Sequence, residues 1–229
     1  MSFQSLFQRS RISIALSTAA IATTFALSYA PSTIAQSMTT ETTTSSRSTN
    51  PINDLSSAER AALLRGEVLV AGGNGDFSGQ VLVNASIEEA WEVLTDYDNF
   101  ENFLPNITSS ALLESADNRN VFEQVNEFRV LPFVTTRSRV QIESIESYPQ
   151  QVQFSLVDGD LESLDGVWIL ETVPTGEGDR VLVSHRVKVD PGNASPRGIF
   201  YSTYKSMLEG SLEAAKREAE SRSAAAAAL

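Results

Sequence analysis

The 229-residue sequence predicts an α+β fold in which an antiparallel sheet of six or seven strands wraps around one long C-terminal helix. Three observations predict it. Apolar and polar residues alternate in successive runs between Ser109 and Val189, the period of strands with one buried face. Turn-forming pieces, Asp117-Asn118, Tyr148-Pro149, Asp158-Gly159 and Gly176-Glu177-Gly178-Asp179, separate most of these runs, and short connections favour antiparallel hairpins. After Pro196 the apolar period becomes helical for about 27 residues, long enough to cover the sheet.

Residues 1–35 read as a secretory signal peptide. Arg9 and Arg11 precede an apolar run from Ile12 to Ala30, and small residues follow. Cleavage after Ala35 is expected, because a cut after Ala30 would leave Pro31 beside the scissile bond. Ser13, Ser17, Thr18, Thr23, Thr24 and Ser28 dilute the run, which favours cleavage over a retained anchor in hydrocarbon about 30 Å thick. Arg9-Ser10-Arg11 is not a twin-arginine pair, and no cysteine follows the run to carry a lipid. The expectation is an exported protein of the periplasm or, in a cyanobacterium, of the thylakoid lumen.

Residues 36–54 are mostly Ser and Thr and are expected to be a disordered linker, since they lack the apolar groups that offset the entropy of ordering. Residues 55–65 form a short helix in this reading: Ser56 and Glu59 have capping-box spacing, and Gly66 ends the turn. The folded domain is expected over 66–222, with 223–229 a disordered tail. Its first part holds two alternating runs, Val68 to Ala71 and Phe77 to Val83, interrupted by Gly72-Gly73-Asn74-Gly75-Asp76, a turn or bulge of residues that accept positive φ. A phosphate-binding loop is a poor alternative, because no helix and no lysine follow the glycines.

Ser86 caps a helix carrying Glu88 and Glu89 in its first turn and Ile87, Ala90, Trp91 and Leu94 on one face. It leads into Leu94-Thr-Asp-Tyr-Asp-Asn-Phe-Glu-Asn-Phe-Leu-Pro105. There Asp96 or Asp98 is expected to cap a second short helix that Pro105 stops. The strands follow, at about Ser109 to Glu114, Val121 to Val130, Val134 to Ile145, Val152 to Val157, Leu161 to Val173 and Val181 to Val189. On the last helix Ile199, Phe200, Thr203, Tyr204, Met207, Leu208, Ser211, Leu212 and Ala215 share a face. Gly210 within it costs about 1 kcal/mol relative to alanine, which implies a close approach there.

Composition narrows the function. The formal charge is −12, and without the two leader arginines 15 basic side chains face 29 acidic ones. A nucleic-acid partner is therefore not expected. The chain has no cysteine, which removes disulfides, thiolate nucleophiles and cysteine metal sites. The single histidine cannot make a zinc site alone. Asp158, Asp160, Glu162 and Asp165 flank a turn without the ligand loop of a calcium site, so no metal and no cofactor is expected.

Strand, two short helices, a run of antiparallel strands and a long C-terminal helix is the order of the helix-grip fold. The sequence resembles the START-like polyketide cyclase/dehydrase and lipid-transport superfamily, also called SRPBCC. Within it, Trp91 on a helix followed by Leu94-Thr95-Asp96-Tyr97, an aromatic and Phe103-Leu104-Pro105 is similar to the coenzyme Q-binding type. Gly166-Val167-Trp168 and Val187-Lys188-Val189-Asp190-Pro191 also resemble the family's pattern. The resemblance implies a hydrophobic small molecule, a quinone, isoprenoid, carotenoid or lipid, held between sheet and helix, with transient membrane contact for its exchange. A protein partner is not identified.

The candidate binding residues are Phe100, Phe103 and Leu104 from the helix pair, Phe122, Gln124, Asn126 and Phe128 from one face of a strand, and Trp168. Phe200, Tyr204, Met207, Leu208 and Ser211 come from the last helix. Trp91 and Tyr97 are read as core filling. His185 shares a face with Val181, Val183, Val187 and Val189 and is expected inward, where a structural role competes with ligand binding. Gln124 and Asn126, if buried, need partners: one another, His185, or the polar head of a ligand. Arg137 and Arg139 are expected on the exposed face, balanced by Glu143 and other carboxylates. An enzyme of cyclase or dehydratase type would use His185 as its base, and an envelope interaction module with a closed cavity is the third alternative.

Overall fold

In the computed structural model, which describes residues 50–131, 134–193 and 196–228, with the side chains of 128–131 and 134 outside that description, eight strands form one antiparallel sheet. They are β1 (Leu69–Gly73), β2 (Asp76–Val83), β3 (Ile107–Ala116), β4 (Arg119–Leu131), β5 (Val134–Ser147), β6 (Gln151–Gly159), β7 (Ser163–Thr175) and β8 (Gly178–Asp190). Their spatial order is β1-β2-β8-β7-β6-β5-β4-β3, so β3 to β8 form a meander and the β1–β2 hairpin joins its end. The helices are α1 (Ser57–Leu64), α2 (Ile87–Leu94), α3 (Phe100–Phe103) and α4 (Arg197–Ala226).

The sheet has more strands than the six or seven expected, and the reason lies in the glycine-rich stretch. Gly73 pairs with Asp76, and Asn74 and Gly75 take φ of 54° and 90°. They form a two-residue hairpin turn that needs positive φ at both positions. The stretch separates two strands instead of bulging one.

The capping boxes form as their spacing demands. Ser56 and Glu59 exchange backbone bonds at α1, and Ser86 and Glu89 do so at α2. At α3 the expectation fails: neither Asp96 nor Asp98 caps it. Asp98 instead accepts from the Leu112 amide of β3 at 2.7 Å, and Asp96 accepts from Arg222 of α4 at 2.7 Å. Both acids tie the helix pair to distant elements, and the Arg222 guanidinium also lies 5.7 Å from the Phe103 ring centre.

Alternation along β2 and β8 gives the sheet two apolar faces. Val81, Val83, Val183 and Val187 join the main core under α4, while Leu82 and Leu182 join a second cluster with Ile52, Leu63 and Val173. That second cluster is roofed by α1 and a 3-10 helix at Pro51–Asp54. Residues 50–54, expected to be disordered linker, are therefore folded: Ile52 is 4% exposed, and Asn50 donates to the Pro174 carbonyl at 3.1 Å. The rest of the linker and the leader lie outside the described residues.

Helix α4 spans 30 residues, about 45 Å. It seats on β2 because Gly79 has no side chain: a Cβ there would stand 2.4 Å from Leu212 Cδ1. The close approach expected at Gly210 is not found: a Cβ there would make only an ordinary van der Waals contact, with Pro105 Cγ at 3.4 Å. The helix continues through Ser223 to Ala226, which corrects the disordered tail expected from 223 onward. Alanine has the highest intrinsic helix propensity and extends a helix already formed. Among the described residues no helix is long and apolar enough to cross a membrane.

Candidate functional site

Between the concave face of the sheet and α4 lies a cavity of about 200 Å³. Strand alternation turns Phe122, Gln124 and Asn126 of β4, Trp168 of β7 and His185 of β8 toward it. Helix α3 adds Phe100 and Phe103, Leu104 follows at its C-cap, and α4 adds Phe200, Tyr204, Met207, Leu208 and Ser211. Phe128 continues the β4 alternation, but its side chain lies outside the described residues.

Sequence reasoning assigned Tyr97 to the core alone and passed over Phe154, Ser138 and Ser144, which also line the cavity. Tyr97 does both. It stacks on Phe122 with ring centres 4.3 Å apart and donates its hydroxyl to Glu146 Oε1 at 2.7 Å. Burial and this acceptor hold the phenol well above its usual pKa, burial contributing most. Phe154 alternates with Val152 and Leu156 on β6, a signal that the spacing does carry.

Burial separates the deep wall from the rim. Val140, Ile142, Val152, Leu164 and His185 are buried, whereas Phe103, Leu104, Pro105, Ile107, Asn126, Ser138, Thr203 and Met207 are only half-buried. Those rim residues come from the α3–β3 connection, paired positions of β4 and β5, and the first half of α4. Gln124 is half-buried, and in the β4–β5 register it faces Val140 as Asn126 faces Ser138.

His185 sits on the deep side, 5% exposed. Its ring lies 5.4 Å from the Phe154 ring at an interplanar angle of 7°, and 3.9 Å from the Trp168 ring, its β-sheet neighbour. Phe154 can lie flat there because its register partner is Gly166. Burial pushes the imidazole pKa down to about 3, so the ring is neutral at pH 7. Nδ1 has no hydrogen-bond partner among the described residues, so the inward amides of β4 do not satisfy that atom.

Among the described residues no charged side chain lines the cavity. The ionic groups lie on the outer face: Arg139 pairs with Glu123 and Asp158, Arg137 with Glu127, and Arg119 takes Glu143. The carboxylate balance expected for Arg137 and Arg139 thus comes from Glu127, Glu123 and Asp158, while Glu143 serves Arg119, because cross-strand register puts Arg139 opposite Val125 and Glu143 opposite Val121. Asp158 and Asp160 both hold Arg139, the latter through its backbone amide at 2.7 Å. These two acids are thereby engaged in a hairpin clamp.

A curved antiparallel sheet gripping one long helix around an apolar cavity defines a START-like protein of the helix-grip fold. The chain belongs to the polyketide cyclase/dehydrase and lipid transport family, which it matches over residues 83–214. No curated protein matches it in sequence. Among solved structures it is similar to a fragment of a STAR-related lipid transfer protein from Xanthomonas axonopodis, with 21% identity and a TM-score of 0.54 over 66% of this chain and 92% of that one. It is also similar to the Zhui aromatase/cyclase from a Streptomyces species, with 16% identity and a TM-score of 0.53 over 64% of this chain and 94% of that one. A protein from Thermus thermophilus gives 17% identity and a TM-score of 0.51 over 66% of this chain and 98% of that one. Likenesses at these identities concern the fold.

Proposed function

We propose that the protein binds and carries a hydrophobic small molecule of the quinone, isoprenoid, carotenoid or lipid class, and that it does so without chemistry, in the manner of the coenzyme Q-binding type. The observation that carries this reading is the uncharged, aromatic-walled cavity between sheet and α4. Apolar walls gain about 25 cal/mol for each Å² removed from water, and apolar lining with a few polar groups is the usual make-up of a ligand site. The half-buried rim gives the ligand an entry, with a transient membrane encounter as its source. Export of the protein belongs to the same proposal, and N-terminal sequencing of the protein from its host tests it.

The test of carriage is native mass spectrometry of the protein isolated from its own host, followed by organic extraction. A stoichiometric lipophilic molecule is the expected result. An empty protein that takes up no quinone, carotenoid or lipid would overturn it and turn attention to an envelope interaction module.

A second reading, a cyclase or dehydratase acting on an aromatic or polyketide-like substrate, is favoured by one observation: a neutral histidine at the cavity wall. General base catalysis needs a group within reach of the proton and with a pKa near the working pH. A pKa of about 3 and an Nδ1 that no described residue orients argue against it. Turnover of an aromatic polyketide-like substrate that His185→Gln abolishes would restore it.

A further inference from the structure

Five uncharged polar side chains stand on the cavity wall without a hydrogen bond. Gln124 and Asn126 share the inner face of β4, Ser138 is the register partner of Asn126 on β5, and Thr203 and Ser211 lie on the face of α4 that carries Met207. None of the five side chains bonds to another described residue. Serines on the exposed side of the same helix behave differently: Ser202 and Ser206 turn back to the carbonyls of Ile199 and Ser202, at 2.9 and 3.3 Å. Of the three partners the sequence leaves open for Gln124 and Asn126, neither one another nor His185 is taken up, and the polar head of a ligand remains.

These groups are within reach of an occupant. The one side-chain polar atom both sealed from solvent and unpaired among the described residues is His185 Nδ1. The polar atoms of the five, all on half-buried residues, therefore keep accessible surface, and strand alternation directs that of β4 and β5 inward. The accessible wall of the cavity is accordingly apolar for the most part with a polar minority. Asn126, Ser138 and Thr203 lie at the rim, while Val140, Ile142 and Val152 form the deep wall. The cavity is thus amphipathic along its depth.

That arrangement constrains the head group. A primary amide offers two donors and an acceptor, and a hydroxyl both donates and accepts. A quinone carbonyl would serve the donors alone and a hydrocarbon would serve neither, whereas a head with several hydroxyls serves both. Among the described residues no charged side chain lines the cavity, and the chain carries a formal charge of −12, so an anionic head finds no counter-charge and meets a repelling surface. The volume of about 200 Å³ leaves room for a single tail, since a cavity of about 150 Å³ is filled by benzene.

We propose that Gln124, Asn126, Ser138, Thr203 and Ser211 form a head-group band that selects a single-tailed neutral amphiphile with a polyhydroxyl head, an acylglycerol or a glycoside. The head sits at the mouth and the tail against the deep wall. This inference rests on the binding reading above and adds the class of ligand to it.

Probes of one tail length test it on lipid-stripped, 15N-labelled protein at pH 7: 1-decanoylglycerol, decyl glucoside, methyl decanoate and decanoate, each below its micelle concentration. Naphthalene serves as the apolar control for the deep cavity. The expected result is that a polyhydroxyl probe binds more tightly than methyl decanoate or decanoate and shifts the side-chain amide signals of Gln124 and Asn126, whereas naphthalene binds without that shift. Whether decanoylglycerol or decyl glucoside binds more tightly identifies the head as glycerol or sugar, and either supports the band. In the double variant Gln124→Met/Asn126→Leu the affinity for the polyhydroxyl probe falls about ten- to thirtyfold, the worth of about two hydrogen bonds, while retained naphthalene binding reports an intact cavity. If the variant does not fold, the amide shifts in the unaltered protein decide. Methyl decanoate binding as tightly as the polyhydroxyl probes, or a preference unchanged in the variant, would overturn the band and leave carriage standing. Tighter binding of decanoate would overturn the neutral class. Failure of every probe, naphthalene included, would count against carriage itself.

Discussion

Phe154 occupies the space that a side chain on Gly166 would need: a Cβ at Gly166 would stand 2.2 Å from Phe154 Cζ and 2.5 Å from the Arg186 carbonyl oxygen. The two residues face each other across β6 and β7. The glycine thus sets where the Phe154 ring lies, and with it one wall around His185.

Gly166→Ala is the direct test. The ring can swing away, but the Arg186 oxygen belongs to the β8 backbone and cannot. Overpacking of this kind costs about 1–3 kcal/mol. Urea denaturation is expected to show a loss in that range, and the displaced ring should also weaken naphthalene binding.

The buried imidazole makes stability depend on pH with a definite sign. Its pKa is about 3 in the folded protein against an ordinary 6.5. Between those values the unfolded chain binds a proton and the folded one does not, so stability falls as pH falls through this window. The slope approaches about 1.4 kcal/mol per pH unit, and the term vanishes above pH 6.5. Free energies from urea melts between pH 7 and pH 4.5 should decline more steeply for the wild type than for His185→Gln, whose amide does not titrate. Parallel curves would mean that the imidazole is solvated.

What the sequence discloses here is what repeats locally. Alternation of two located the strands of the meander, and it turned Gln124, Asn126 and His185 inward because adjacent residues on a strand must face opposite ways. Both capping boxes were legible for the same reason, their partners being three residues apart. The exceptions involve distant partners. Asp98 finds its donor 14 residues away and Asp96 finds its own 126 away, so a local capping rule misplaced both. Ile52 stands almost alone in polar sequence, and its burial depends on Leu82, Val173 and Leu182, which only the folded sheet brings together. Nor could the isolation of His185 Nδ1 be read beforehand, since it is fixed by which neighbours fail to reach it.

Leu63 separates the two faces of the sheet experimentally. It is 0% exposed and packs in the cluster of Leu82 and Leu182, opposite the cavity side of β2. Leu63→Ala should cost about 2–4 kcal/mol through the cavity it leaves. Under conditions where the variant remains folded, its affinity for naphthalene should match that of the wild type. A large loss of affinity would show that the roof of α1 on the outer face controls the cavity as well.

Ser211 offers the converse, a change to the cavity with little change to the fold. It is half-buried on α4 among Met207, Leu208 and Ala215, all of which line the same space. Ser211→Phe places an aromatic ring in the cavity volume, so the penalty of overpacking is largely avoided and apolar burial offsets the lower helix propensity of phenylalanine. Stability should change by less than about 1 kcal/mol by these principles, while naphthalene uptake and the yield of lipophilic extract from the host both fall. The two readouts together carry the argument. A folded variant that no longer carries extractable material assigns the ligand to this cavity, whereas a folded variant that still carries it at full stoichiometry would place the ligand elsewhere on the molecule.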